Sequence, residues 1–378
     1  MRLFSFLFFI ICHFTFSAVP KIKVRLAKAQ KKISLSGIDL KSNLKLLGEK
    51  QIYTGKKTLN FNCSEYVKKE RNNPLLVASL ASSTGLIKWK NQKYLGELNI
   101  LTTKNKKGCD LVNVTSLDTY ISMLLTKEMH SSWPKEALKA QAVAARTYAY
   151  HKMQSDQVSK LSGYETYYDL ENSEKHQVNG SFSDVTKSTS LASKLTSGEV
   201  LTARSGKITP IFFHSKCGGR TIRPEVVWSN KVEGYTNVEC PFCHKKGTPS
   251  WQNKISGYKL KRAVLKTLNR KFNIQANKYS SLQFMKDYKQ SNYLRVYYKD
   301  KPFKIQKSRL RSSLGRRSLP SNNFKIEKSN GYYKAIGKGN GHGVGLCQFG
   351  ALELAKRGYN YKQILSHYFP KHRIKKVY

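Results

Sequence analysis

Beyond residue 16 no stretch is apolar enough to span a bilayer, and the chain has no internal repeat, heptad pattern or proline-rich linker. A polytopic membrane protein, a solenoid and a coiled coil are thereby excluded. There is no HExxH helix, no P-loop and no GxSxG elbow, which removes three common hydrolase and nucleotide-binding chemistries. Acidic residues are also scarce. Only 23 Asp and Glu stand against 68 Lys and Arg, giving a formal charge of +45. In a cytosolic protein that balance points to nucleic acid. In an exported one the anionic partners are envelope polymers, peptide-stem carboxylates or lipid head groups. Many of the bases, as at residues 104–107 and 301–317, read as solvated surface.

The N-terminus selects the exported case. Arg2 precedes a nearly unbroken run of Leu, Phe and Ile over residues 3–16, and Ser17 and Ala18 offer a small-residue cleavage site. The run is shorter than the roughly 18–20 residues a spanning helix requires. Residues 1–18 therefore read as a signal peptide, and the mature chain as a soluble protein of the periplasm, cell envelope or medium, with no nucleic-acid partner. About 360 residues remain, enough for one large domain or two ordinary ones. Six cysteines survive cleavage: Cys63, Cys109, Cys217, Cys240, Cys243 and Cys347. In an oxidising compartment they allow fifteen disulfide pairings, and the sequence does not choose among them.

Residues 19–115 read as a strand-rich segment. Apolar and basic residues alternate at 22–26 and similar alternation ends at Ile100, with Leu111–Val114 a further candidate. A helical section opens the remaining core, residues 116–378. Ser116 is a good cap, Asp118 sits in the first turn, and Leu117, Tyr120, Ile121, Leu124 and Leu125 recur at helical spacing. Pro134 opens a second helix, to about Lys152, with a small-residue stripe at Ala137, Ala140, Ala144 and Ala145. Strands are expected at 199–201, 208–214 and 293–298, a basic helix between 255 and 335, and two helices at the end, the first closed by Gly358. The pattern predicts an α+β fold, two-lobed, with a central substrate cleft.

Several constellations could carry chemistry. Glu128 lies eleven residues after Leu117, close to three helical turns, so its carboxylate falls on the apolar stripe at a helix C-terminal end. Burial and the helix dipole both raise a carboxyl pKa, as a general acid near neutrality requires; the plainer alternative is a solvated Glu at a fraying end. Arg146 and Gln141 lie on the alanine-rich helix, where a guanidinium needs either a structural carboxylate or a ligand. His214, Ser215 and Cys217 emerge after a strand. Cys240 and Cys243 have Zn²⁺ knuckle spacing, with Cys217 as a third ligand and His214, His244 or Cys347 as the fourth. Disulfides are an equal reading for these cysteines. From Gly337 to Gly345 glycine occupies every second position around His342, followed by Cys347 and Gln348. The spacing is wrong for dinucleotide binding and fits a backbone passing tightly under a cleft.

In order, these segments resemble the stage II sporulation protein D (SpoIID) family, which includes amidase enhancers. The resemblance is carried by LVNVTSLDTYISMLLTKEMHSSWPKEALKAQAVAARTYAYHKM, HQVNG, TSGEVL, FFHSKCGGRT and GHGVGLCQFGALELAKRGYNYKQILSHYFP, and the opening KIKVRLAKAQKKISLSG looks like the family's first strands. It implies a lytic transglycosylase acting between N-acetylmuramic acid and N-acetylglucosamine, with Glu128 as its single acid and base. Arg146, Gln141, Gln177, His214, Ser215, His342 and Gln348 would line the substrate site. A glycosidase of the usual kind needs two carboxylates, whereas the resemblance implies a chemistry that needs one and no cofactor. Peptidoglycan strands, and in the enhancer alternative a cell-wall amidase, are the implied partners. The zinc that family members can bind before the Gln177 position has no counterpart here, since residues 169–177 hold His176 and no cysteine. The usual Glu-Met-Pro is Glu128-Met129-His130.

Overall fold

The structure, a computed structural model, describes residues 18–44, 49–67, 75–103, 107–161, 167–173, 177–244, 250–275, 280–284 and 292–378. The apolar leader over residues 1–17 and His176 lie outside the described residues. Among the described residues, no helix is long and apolar enough to cross a membrane.

Helices and strands are mixed in an α+β arrangement around a curled sheet. Its strands are β1 (Lys21–Gln30), β2 (Lys32–Leu44), β3 (Glu49–Asn62), β4 (Leu76–Ser82), β5 (Leu86–Trp89), β6 (Gln92–Leu95), β7 (Glu97–Thr102), β8 (Cys109–Ser116) and β9 (Leu170–Glu171). They lie in the order β6-β5-β2-β4-β7-β8-β1-β9, with β3 paired to β2. The alternation read at residues 22–26 is that of β1, where Ile22 and Val24 are buried between exposed Lys21 and Lys23. Arg25 is buried as well, and bonds to Asp110 at 3.0 Å and Glu171 at 2.7 Å hold its charge there. A short helix, α1 (Cys63–Val67), is tied to the start of β8 by a Cys63–Cys109 disulfide.

Behind the sheet lie α2 (Leu117–Glu128), α3 (Lys135–Leu161) and α4 (Lys187–Leu195). Residues 140–149 of α3 are all buried, and Tyr150 is half-buried. Leu138, Ala142, Ala145 and Ala149 face the first core, which holds the sheet, while Ala140, Val143 and Ala144 face a second. The expected alanine stripe thus lets neighbours approach on two sides. The second core gathers β10 (Glu199–Ala203), β11 (Phe213–His214), α5 (Pro224–Trp228) and the chain's end. Of the strand expected at 208–214 only β11 forms a ladder; Pro210 has no N–H to donate.

A third core belongs to residues 251–337 alone. It comprises β12 (Trp251–Ser256), α6 (Gly257–Phe272), β13 (Leu282–Phe284), β14 (Tyr293–Tyr298), β15 (Lys301–Gln306), α7 (Lys307–Leu314), β16 (Phe324–Ser329) and β17 (Tyr332–Gly337). The chain then returns through β18 (Leu346–Cys347), α8 (Gln348–Lys356), α9 (Tyr361–Tyr368) and β19 (His372–Lys376), which pairs with β10. The hydrophobic cores do not part at residue 115: Ile22, Leu35 and Leu111 pack in one cluster with Tyr120, Leu124 and Ala145. The segment with a core of its own is 251–337.

Candidate active site

Glu128 is placed by the cap and stripe of α2. Ser116 Oγ accepts from the Thr119 N–H at 3.2 Å, and Leu117, Tyr120, Ile121, Leu124 and Leu125 are buried, so the register of the whole helix is fixed. Its last residue therefore sits at the edge of the core, half-buried. Gln348 Nε2 donates to Glu128 Oε2 at 3.4 Å. Burial pushes the Glu128 carboxyl up to about 7, and the Gln348 bond opposes that only in part. In the turn that follows, His130 Nδ1 meets Ser132 Oγ at 2.7 Å and the Trp133 N–H donates to the His130 carbonyl at 3.0 Å. His130, standing in the proline position, thus closes the turn with its own side chain. Trp133 packs edge-on against Phe349 at 5.1 Å, which seats the start of α8 beside Glu128.

The same helix start is coupled to the histidines. β11 and β18 pair in parallel, with His214 opposite Cys347, so Gln348 is the next residue beyond His214's partner. The glycine-rich loop enters this pairing at close range. Gly345 has φ +73°, and a Cβ there would lie 2.1 Å from the Phe212 carbonyl oxygen. The loop presents His342 with its ring 5.5 Å from His214 and 5.1 Å from Trp228. His214 Nδ1 donates to the Val344 carbonyl at 3.0 Å, which leaves Nε2 as a buried acceptor without a partner. His342 Nδ1 accepts from the Val344 N–H at 3.0 Å. Burial pulls His214 down to about 4, and burial with repulsion from His214 and Arg311 holds His342 well below its usual value. Both rings are neutral near pH 7. Trp228, which the sequence reading passed over, is 41% exposed and stacks on Phe212 at 4.6 Å. It sets a partly exposed aromatic face beside the histidine pair, and its only signal in the sequence is that tryptophan occurs just 4 times.

Three expected substrate contacts are buried side chains, two of them held by protein groups. Arg146 is fully buried and its guanidinium is occupied: Nη2 donates to Asp118 at 2.9 Å and to the Ser193 carbonyl at 2.9 Å, and Nη1 to Thr196 Oγ1 at 3.2 Å. It ties α2, α3 and the end of α4 together. Gln177 is buried too, accepting from the Tyr120 hydroxyl at 2.9 Å and donating to the Ala145 carbonyl at 3.2 Å. Gln141 is fully buried on α3, and neither amide atom has a hydrogen-bond partner. Ser215 follows His214, and its carbonyl accepts from the Phe349 N–H at 3.1 Å.

A cavity of about 660 Å³ opens between the second core and residues 292–338, lined among others by Lys216, Arg220, Arg223, Lys307, Lys338 and His342. Glu128 does not line it. The two are linked through Lys216, whose ammonium lies 4.1 Å over the Phe349 ring, one residue from Gln348. The cavity is thus a basic neighbour of the Glu128 site.

Cys217, Cys240, Cys243 and Cys347 are buried, joined by no disulfide and convergent, with their sulfurs all within 4.8 Å of one another. Four such sulfurs fit a tetrahedral Zn²⁺ in donor type and number. The His214 ring instead bonds to Val344.

A profile of the stage II sporulation protein (SpoIID) family matches residues 105–202. Stage II sporulation protein D of Bacillus subtilis is 26% identical over 267 residues, 67% of this chain and 72% of that one. Residues 105–202 are a SpoIID domain by their match, and similarity at modest identity extends beyond them. An uncharacterized protein of Brachyspira hyodysenteriae is 34% identical over 260 residues, 68% of this chain and 66% of its own length. The amidase enhancer of B. subtilis is 25% identical over 331 residues, 76% of this chain and 45% of the enhancer. The chain therefore spans just under two thirds of the Brachyspira protein and less than half of the enhancer. The SpoIID match and the similarity to the amidase enhancer support a cell-wall-related function. Within the matched segment lie Glu128, Gln141, Arg146 and Gln177; His214, His342, Gln348 and the four clustered cysteines lie beyond it.

Proposed function

We propose that this protein is an exported lytic transglycosylase that cuts peptidoglycan between N-acetylmuramic acid and N-acetylglucosamine. The observation that carries the reading is Glu128: a half-buried carboxyl held up at about 7 by burial, at a helix end where Gln348 donates to it. Near neutrality such a group is present in both protonation states, as an acid that must also serve as a base requires. Protonated Glu128 gives its proton to the glycosidic oxygen as the bond to muramoyl C1 breaks. The resulting carboxylate takes the proton of the muramoyl 6-hydroxyl, whose oxygen closes on C1. The product is a 1,6-anhydro ring, Glu128 is left protonated, and no water is consumed. Gln348 orients the carboxylate, and Trp228 with His342 offers a surface for a neighbouring sugar. The net charge of +45 supports adhesion to anionic wall polymers.

A second reading is favoured by the similarity to the amidase enhancer, which extends over 76% of this chain. In that reading the protein binds the wall and stimulates an amidase without cutting glycan. Mass spectrometry of purified sacculi incubated with the protein separates the two. Anhydromuramoyl ends are expected from the parent and none from Glu128→Gln. A parent that yields no such ends, yet speeds a wall amidase, would replace the first reading with the second.

A further inference from the structure

We propose that Cys217, Cys240, Cys243 and Cys347 hold a structural Zn²⁺ as four thiolates, and that this ion fastens the start of α8 to the His214 strand. The assignment rests on the geometry of the cluster and stands or falls independently of the glycan chemistry. The four residues come from three separate places: the loop after β11, the segment from Cys240 into the single turn at Pro241–His244, and the junction of β18 with α8. A tetrahedral site with zinc–sulfur bonds of about 2.3 Å needs sulfurs about 3.8 Å apart. Here Cys217 and Cys243 are 3.4 Å apart and no pair exceeds 4.8 Å.

The surroundings are built for sulfur that carries negative charge. The Gly219 N–H points at Cys217 Sγ at 3.4 Å, and the Cys217 and Gly350 N–H groups both point at Cys347 Sγ at 3.4 Å. The Tyr368 hydroxyl lies 3.1 Å from Cys240 Sγ. Cys347 is also the N-cap of α8, where the helix dipole favours an anion. Gly350 keeps room for the cluster, since a Cβ there would lie 1.9 Å from the Tyr368 hydroxyl and 2.7 Å from Cys240 Sγ. Two disulfides would also join four cysteines, but they would leave these donors facing neutral sulfur. Binding of one Zn²⁺ forms four Zn–S bonds and releases the four thiol protons to solvent. The ion then clamps Cys347, and with it Gln348, to the segment that carries His214 and Ser215.

The test is metal analysis of the full chain purified without reductant or chelator. About one zinc per chain is expected, and the four thiols should resist alkylation in the folded protein until a strong chelator is added. Chelation should also lower the melting temperature. Reconstitution of the chelated chain with Co²⁺ should give the charge-transfer and ligand-field absorption of a tetrahedral thiolate site, and Cys347→Ser should change that spectrum. Should Cys347→Ser fail to fold, the stoichiometry and cobalt spectrum of the parent still decide. A metal-free chain overturns the proposal, whether peptide mapping finds these cysteines joined as disulfides or alkylation finds the thiols open in the folded state.

Discussion

Replacing Glu128 with Gln separates chemistry from stability in a way the structure allows to be sized. Burial carries the folded-state carboxyl from 4.5 up to about 7, so the folded chain holds this proton more tightly than the unfolded chain does. Stability from the site is therefore fullest below about 4.5, is lost as pH rises through about 7, and stays lost above that. At about 1.4 kcal/mol per pH unit, that interval sets a ceiling of roughly 3 kcal/mol, and water reaching a half-buried carboxylate brings the expected value to about 1–2 kcal/mol. Gln has no charge to desolvate and can still bond to Gln348. Urea unfolding should thus find Glu128→Gln level with the parent near about pH 4 and about 1–2 kcal/mol more stable at about pH 8.5. Turnover to anhydromuramoyl products should fall at least about a hundredfold, the usual worth of a general acid. Parent activity should decline above about pH 7 as the acid form is lost. A variant whose unfolding follows the parent's at both pH values would refute the buried-acid reasoning. One that turns over at the parent rate would refute the assignment of Glu128.

Other substitutions probe the frame around it. Arg146→Met should cost about 3–5 kcal/mol by stranding Asp118, and Asp118→Asn in the same chain should recover part of that; the readout is the urea midpoint rather than KM. Gly345→Val should abolish folding or activity, because its Cβ meets the Phe212 carbonyl at 2.1 Å, whereas Gly343→Ala, with nothing nearer than the Ile222 side chain at 3.5 Å, should lower the melting temperature by only a few degrees. Removing the Cys63–Cys109 bridge, which spans 46 residues, should cost up to about 4 kcal/mol, read from thermal unfolding of the Cys63→Ser/Cys109→Ser chain.

What the sequence reveals of this molecule follows the range of the interactions. The cap at Ser116, the stripe of α2 and the place of Glu128 on it are local, and they are legible from spacing. So are the strand at 293–298, which is β14, and the glycine that ends the helix before Tyr359. The role of Arg146 is not legible, because its partners Asp118, Ser193 and Thr196 lie 28, 47 and 50 residues away and only packing chooses a carboxylate over a ligand. Long-range pairing hides the reach of the opening sheet as well. β2 and β3 are 13 and 14 residues long, yet most of β3 is exposed and its apolar alternation is confined to Leu59 and Phe61 at the end. The convergence of four cysteines needs the parallel pairing of β11 with β18 across 130 residues, and the lone Trp228 acquires meaning only beside His342.

The two-sided burial of α3 has a consequence for how the protein comes apart. With Leu138, Ala142 and Ala145 in one core and Ala140, Val143 and Ala144 in another, the stretch 140–149 of this helix has no face to offer water. Loss of either core would strand it, so the sheet and the cysteine-bearing half must melt as one cooperative unit. Residues 251–337, with a core of their own, are free to open separately. Amide exchange along residues 140–149 would then report the global unfolding free energy, while exchange in α6 would report a smaller, local one. The catalytic machinery proposed here would sit on the last part of the molecule to let go.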